Sequence, residues 1–130
     1  MATIRHHAQI ERSPDDVWKS VTDSAAWPSW FPGMDAAVVD DDGAGRTVTV
    51  GGMELPEDIV TNDDALRRFQ YRIRPGLMPL EYHLGTLDVL PSGDGSLVVY
   101  STEVLPDDAK AILDPAIQSG VEGLKAHLEG

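Results

Sequence analysis

The chain has 130 residues, of which 42 % are hydrophobic and 25 % are charged. This composition is typical of a globular protein with an apolar core, and it excludes a chain that is disordered throughout. A formal net charge of −12 disfavours nucleic acid and anionic membrane surfaces as partners. The absence of cysteine excludes disulfides, thiolate metal sites and thiol catalysis.

The length predicts a single domain over residues 1–130. The N-terminal residues lack the apolar stretch of a signal peptide, and no uncharged stretch approaches the roughly 20 residues needed to cross a bilayer. We therefore expect a cytoplasmic protein without stable membrane insertion.

The first thirty residues predict a strand followed by two short helices. The strand is indicated by apolar residues that alternate with polar ones, namely Ile4, Ala8 and Ile10. Ser13 and Pro14 are typical of the N-cap and first position of a helix. A second short helical turn is expected within residues 23–30.

Residues 35–105 contain only strand-like segments separated by turn residues, which favours an antiparallel sheet of hairpins over alternating β-α units. In the clearest segment, 67–74, Phe69, Tyr71 and Ile73 share one face and polar residues occupy the other. The other predicted strands are 36–39, 46–50, 57–61, 82–90 and 97–105.

After Pro106 the pattern becomes helical. We expect a break at Asp114, which would cap the main helix with Pro115 at its first position. Within the apolar stripe, Ala116 and Gly120 are small, which predicts either unfilled space or close helix–sheet packing. These elements make an α+β fold: a seven-stranded antiparallel sheet curves around a long C-terminal helix, with two short helices between strands 1 and 2.

Several motifs, in their order and spacing, resemble the START-like (SRPBCC) superfamily and its helix-grip fold. They are SPDDVW at 13–18, WPSWFPG at 27–33, YHLGTL at 82–87 and PSGDG at 91–95. The resemblance is to the polyketide cyclase/dehydrase branch, and the loop layout is similar to that of the abscisic acid receptors. It implies a sheet that grips the C-terminal helix around a cavity for a hydrophobic or aromatic small molecule, such as a polyketide, lipid or sterol.

Two predicted loops, 51–56 and 76–80, carry apolar residues where connections are normally polar. These rim residues are Met53, Leu55 and Met78. The resemblance implies that the loops form a movable rim over the cavity mouth. Alternatively they cap the core, or they form an interface with a partner protein or a weak homodimer of an otherwise monomeric chain.

Glu57 is the strongest candidate for polar chemistry, because alternation places it on one face with Ile59 and Thr61. In an apolar chamber its pKa would rise, and it would act as a general base or anchor a ligand hydroxyl. The alternative is a carboxylate at the rim, solvated or paired with an arginine. Related cyclases carry a tyrosine where this chain has Met34 and an arginine where it has Ile59 or Val60, which leaves catalysis open.

No metal and no cofactor are expected. The neighbours His6 and His7 face opposite ways on a strand, and His83 and His127 are isolated, so no metal-ligand spacing is present. His83 is predicted to face the surface, since Tyr82 beside it is assigned to the inner face. Nucleophile-elbow, phosphate-loop and dinucleotide-binding motifs are also missing.

The leading hypothesis is the binding or carriage of a hydrophobic small molecule between the sheet and the long helix. The alternatives are a cyclase or dehydratase that uses the same cavity, with Glu57 or a tyrosine moving one proton, and a protein-interaction module. The predicted lining is aromatic, aliphatic or small, with Glu57 as its charged member: Trp30, Phe31, Met34, Glu57, Ile59, Phe69, Tyr71, Ile73, Tyr82, Leu84, Val99, Ile112, Ala116 and Gly120.

Overall fold

A computed structural model describes all residues from Met1 to Gly130. The strands are β1 (Ala2–Ile10), β2 (Met34–Val39), β3 (Gly45–Val50), β4 (Met53–Asp63), β5 (Arg68–Ile73), β6 (Tyr82–Ser92) and β7 (Gly95–Leu105). The helices are α1 (Pro14–Thr22) and α2 (Ala109–Glu129), and a 3₁₀ turn occupies Trp27–Ser29.

All seven strands form one antiparallel sheet in the order β1-β7-β6-β5-β4-β3-β2. Neighbours from β2 to β7 are consecutive along the chain, and β1 closes the far edge by pairing with β7. Helix α2 packs against β1 and β7. Bulges at Met34/Ala36 and Ile59/Thr61 interrupt the ladders, and bulges bend a sheet and increase its twist. The predicted α+β helix-grip architecture is confirmed.

Helix α1 begins where its sequence predicts. The Ser13 hydroxyl accepts a hydrogen bond from the backbone N–H of Asp16 at 3.2 Å, and Pro14 occupies the first turn. The helix buries one apolar stripe, formed by Val17, Trp18 and Val21. The second short helix between β1 and β2 is a single 3₁₀ turn, in which Trp27 is fully buried.

The expected break at Asp114 is wrong, because α2 runs unbroken from Ala109 to Glu129 with Pro115 inside it. A proline removes one hydrogen bond to the residue four positions earlier, here Ala111. Both Ala111 and Pro115 are exposed, so water can satisfy the freed carbonyl group. Neither helix of the protein combines the length and the apolar character needed to span a membrane.

Strand β4 begins earlier than predicted, at Met53 instead of Glu57. Gly51 and Gly52 both adopt positive φ angles, 57° and 80°, as a tight two-residue hairpin turn requires. Because this turn is so short, pairing resumes at once with Val50 opposite Met53. Met53 and Leu55 therefore lie on a strand, and the prediction of an apolar loop over 51–56 is wrong.

In strands β6 and β7, the face that points into the protein is the opposite of the predicted one. Their buried inner residues are His83, Gly85, Leu87, Val89, Val98, Tyr100, Thr102 and Val104. The predicted cavity residues Tyr82, Leu84 and Val99 thus lie on the outer face. Hydrophobicity misleads here because both faces carry aliphatic side chains. Cross-strand pairing decides the face, since Leu87 lies directly opposite the buried Phe69 of β5.

Candidate functional site

A cavity of about 210 Å³ lies between the inner face of the sheet and the first half of α2. Fifteen of its eighteen lining residues are hydrophobic, and the other three are Arg46, Glu57 and His83. Met53 and Ile112 are largely exposed, and Ile112 retains 63 % of its accessible surface. These two residues mark the mouth, whereas Arg46, Glu57 and His83 are buried.

Many of the predicted residues are brought together around this cavity. Those that line it are Phe31, Met34, Met53, Leu55, Glu57, Tyr71, Ile73, Met78, Ile112 and Ala116. They come from the segment after α1, from the start of β2, from β4 and β5, from the loop before β6, and from α2. The sheet and the C-terminal helix enclose these residues.

Four predicted residues face inward but belong to the packed core and do not line the cavity. Trp30 is buried, and its indole N–H donates to the carbonyl oxygen of Ser20 at 3.1 Å. Phe69 lies beneath Trp27, with ring centroids 5.1 Å apart. Ile59 packs against the core two residues farther along β4 than Glu57.

Gly120 is the fourth residue, and it permits close packing instead of leaving space. A Cβ atom at this position would come within 2.8 Å of the Phe31 ring and 3.1 Å of the Tyr100 ring. On the outer face, Tyr82 lies beside Arg72, whose guanidinium carbon is 5.1 Å from the Tyr82 ring centroid. Tyr82 therefore lies on the outer surface beside Arg72, and the prediction that it lines the cavity is wrong.

Sequence reasoning missed eight lining residues. They are Trp27, Arg46, Val48, Val50, His83, Tyr100, Leu113 and Ile117. A signal for Arg46 was present, because strict alternation along β3 places it on one face with Val48 and Val50. No comparable signal marked His83, which lies on a strand with apolar residues on both faces.

Arg46 and Glu57 form a buried ion pair across strands β3 and β4. They are 0 % and 3 % exposed, they are direct cross-strand partners, and Nε of Arg46 donates to Oε1 of Glu57 at 2.9 Å. Nη1 of Arg46 donates to the Ser24 carbonyl oxygen at 2.9 Å. The guanidinium carbon lies 4.1 Å from the Trp27 ring centroid, a favourable cation–π distance.

Glu57 combines two of the expected alternatives, since it is buried at the cavity and paired with an arginine. Burial raises the pKa of Glu57 above its ordinary value, although the charge and the hydrogen bond of Arg46 both act to lower it. Oε1 accepts the bond from Arg46, and Oε2 has no hydrogen-bond partner in the protein. Glu57 therefore retains one free acceptor atom at the cavity.

Tyr71 and Tyr100 meet through their hydroxyl groups, which share a hydrogen bond. Both rings are buried, and burial raises the pKa of each phenol above its ordinary value. Both phenols are thus neutral near pH 7. Close ring packing surrounds the pair, because Gly85 leaves room for the Tyr71 ring where a Cβ atom would come within 2.6 Å of its Cζ.

His83 is buried, which corrects the prediction that it faces the surface. Its Nδ1 accepts a hydrogen bond from the backbone N–H of Ile73 at 3.1 Å, so the neutral ring carries its proton on Nε2. Burial, together with the smaller effect of the nearby charge of Arg72, lowers the pKa of His83 to about 4. His83 is therefore a neutral hydrogen-bond donor with a fixed tautomer. No group of three or more metal-binding side chains is present.

The family described as polyketide cyclase / dehydrase and lipid transport matches residues 1–129. Because the match covers nearly the whole chain, this protein belongs to that family. No curated protein sequence matches the chain.

Solved structures share the fold over the full length of the chain. The protein XoxI from Bacillus cereus is 22 % identical, with a TM-score of 0.91 over 99 % of this chain and 96 % of its own. A protein from Thermobifida fusca is 29 % identical, with a TM-score of 0.81 over 99 % and 92 %. The di-domain aromatase/cyclase BexL of the BE-7585A biosynthetic pathway is 21 % identical, with a TM-score of 0.84 over 99 % and 47 %.

Proposed function

We propose that residues 1–130 act as one domain that binds and carries a hydrophobic small molecule in the cavity between the sheet and α2. The observation that carries this proposal is a largely apolar cavity with three polar side chains, which is the usual composition of a small-molecule site. Membership of a family described by cyclase, dehydrase and lipid-transport functions supports it.

The cavity volume limits the size of the ligand. A dry cavity of about 150 Å³ holds benzene, and pockets for drug-sized ligands begin at roughly 300 Å³. A volume of about 210 Å³ therefore suits a compound with one or two rings. A larger polyketide, a lipid or a sterol requires Met53, Met78 and Ile112 to move outward at the mouth.

Ligand-dependent stabilisation tests the proposal. One- and two-ring aromatic compounds, fatty acids and sterols are screened by thermal unfolding, and a compound held at 100 times its Kd adds about 2.7 kcal/mol of stability. We expect Ala116→Phe to abolish the shift because its ring fills the cavity, whereas Gln118→Phe on the exposed side of α2 retains it. No shift with any compound, or an equal shift in Ala116→Phe, would refute binding in this cavity.

A cyclase or dehydratase function is the second candidate, favoured by the raised pKa of Glu57 beside the cavity. In that case Glu57 accepts a proton from a substrate positioned against the apolar walls. Glu57→Gln separates the two functions: loss of turnover with retained affinity supports catalysis, and unchanged turnover excludes Glu57 as the base. We propose a cytoplasmic location for either function, with which the absence of cysteine is compatible.

A further inference from the structure

Nη2 of Arg46 is buried at the cavity without a hydrogen-bond partner. Two further polar atoms of the lining have no partner in the protein, and they have opposite hydrogen-bonding character. In Glu57, Oε1 accepts the hydrogen bond from Arg46, and Oε2 accepts none. In His83, Nδ1 accepts the hydrogen bond from the Ile73 N–H, and Nε2–H donates none. Both side chains line the cavity and are at least nine-tenths buried. A buried polar group without a partner is costly, so both atoms favour a ligand that satisfies them.

The sheet sets the separation of these two atoms. Glu57 on β4 lies directly opposite Ile73 on β5, and Ile73 is held to the His83 ring of β6 by the backbone hydrogen bond. Glu57 and His83 therefore project from the same face two strands apart, roughly 9–10 Å at the backbone given a spacing of 4.7–4.9 Å per strand. Tyr71 and Ile73 supply an apolar floor between them.

From this arrangement we propose that the ligand is a one- or two-ring hydroxyaryl ketone or a close equivalent, which Glu57 and His83 recognise together through hydrogen bonds. Its hydroxyl group donates to Oε2 of Glu57, and its carbonyl oxygen accepts from Nε2–H of His83. The rings occupy the apolar space between these two groups. The inference rests on the proposed binding function and assigns to it a ligand class and a specificity pair.

The buried ion pair of Arg46 and Glu57 disfavours a ligand that carries a carboxylate. Arg46 binds Glu57, Ser24 and the face of the Trp27 ring. Its Nη2 has no partner, but its charge is balanced by Glu57, so no excess positive charge is left for a ligand carboxylate. A carboxylate would also bring a second negative charge into an apolar chamber beside Glu57, at a high desolvation cost. The net charge of −12 further disfavours the approach of anions.

Four compounds of matched shape test the proposal on the wild-type protein: 5-hydroxy-1-indanone, 1-indanone, 5-indanol and indane. We expect 5-hydroxy-1-indanone to bind roughly tenfold or more tightly than either single-group compound, because each missing group leaves a buried polar atom unpaired. Affinities are measured by calorimetry at about pH 6.5, where the phenol, which the para carbonyl group makes more acidic, remains protonated. Equal affinities for all four compounds overturn the specificity pair but leave binding intact, whereas no binding by any compound counts against the binding function itself.

Nuclear magnetic resonance of the ring nitrogens supplies a direct readout of His83. We expect the Nε2–H signal of His83 to move on addition of 1-indanone and to stay in place on addition of indane. His83 also borders a small cleft outside the cavity, beside Pro75 and Tyr82. If 1-indanone binds and the Nε2–H signal does not move, this donor points into the outer cleft. That result overturns the proposal.

Variants complete the test. Glu57→Gln keeps an acceptor for Arg46 but replaces the free oxygen by a donor, so we expect a roughly tenfold loss for 5-hydroxy-1-indanone and little change for 1-indanone. Tyr82→Phe removes a hydroxyl group next to His83 on the outer face and serves as the matched control, with affinities unchanged. Equal losses for both compounds in Glu57→Gln contradict a specific contact with the hydroxyl group. If this variant fails to fold, the wild-type compound series decides the question.

Discussion

Arg46 illustrates how a fully buried cation is stabilised inside an apolar protein. Its guanidinium binds the Glu57 carboxylate, the Ser24 carbonyl group and the face of Trp27. The planar group suits this set of contacts, and a lysine could not reproduce them. Removing one member of a buried ion pair costs about 3–5 kcal/mol, because the other is left uncompensated. Arg46 therefore acts as a positioning residue that holds the Glu57 carboxylate at the cavity.

His83 predicts a pH dependence of stability. Its folded-state pKa of about 4 lies below the ordinary value of 6.5, so the unfolded chain binds a proton in this window that the folded chain does not. The contribution of neutral, buried His83 to the free energy of unfolding is therefore fully present above pH 6.5. It is lost as pH falls towards 4, by up to about 3 kcal/mol. We expect His83→Gln to remove this loss, since glutamine does not titrate and its oxygen can accept the Ile73 N–H.

Urea unfolding at intervals between pH 4 and pH 7.5 measures this effect as the difference between wild type and variant. Wild type and variant must be compared because Glu57 has the opposite effect on stability. The pKa of Glu57 is raised in the folded protein, so stability falls as pH rises above the ordinary pKa of a glutamate side chain. His127→Gln, on the exposed side of α2, is the control and should follow the wild-type profile. A His83→Gln profile that parallels the wild type would contradict a buried, neutral His83.

At the scale of elements, the contact between α2 and the segment after the 3₁₀ turn depends on two glycines. A Cβ atom at Gly123 would overlap the backbone carbonyl oxygen of Trp30 and come within 2.6 Å of Pro32. At Gly120 the nearest obstacle is the Phe31 ring. The helix can therefore lie directly against the chain at 30–32, and this contact positions Phe31 at the cavity wall.

These contacts predict an unusual response to alanine. Glycine to alanine in a helix interior normally stabilises a protein by up to about 1 kcal/mol. We expect Gly123→Ala to destabilise the protein by roughly 1–3 kcal/mol, because the obstacle is backbone and cannot rotate away. Gly120→Ala should cost less, since the Phe31 ring can shift. Urea unfolding measures both, and a Gly123→Ala variant as stable as wild type would disprove the close contact.

For the whole molecule, the net charge of −12 sets the response to salt. Self-repulsion among excess carboxylates opposes the compact state, and raising the ionic strength from about 0.01 M to 0.1 M shortens the screening length from roughly 30 Å to 10 Å. We expect thermal unfolding at pH 7 to occur a few degrees higher at the higher salt concentration. Near the isoelectric point of about 4.4 the increase should disappear; an increase of equal size there would assign the effect to something other than net charge.

Local patterns in the sequence determined the order and type of the elements, and the family resemblance led to the correct fold. Ser13 and Pro14 start α1, and the strict alternation of Phe69, Tyr71 and Ile73 defines the inner face of β5. These features could be predicted because capping hydrogen bonds and side-chain alternation act between residues close in the chain.

Only the tertiary structure decided which side chains meet at the cavity. The inner faces of β6 and β7 follow from pairing with β5, which placed His83 inside and Tyr82, Leu84 and Val99 outside. The pairing of Arg46 with Glu57 depends on the register between β3 and β4. Such contacts join residues far apart in the chain, and hydrophobicity along one strand cannot specify them when both of its faces are apolar.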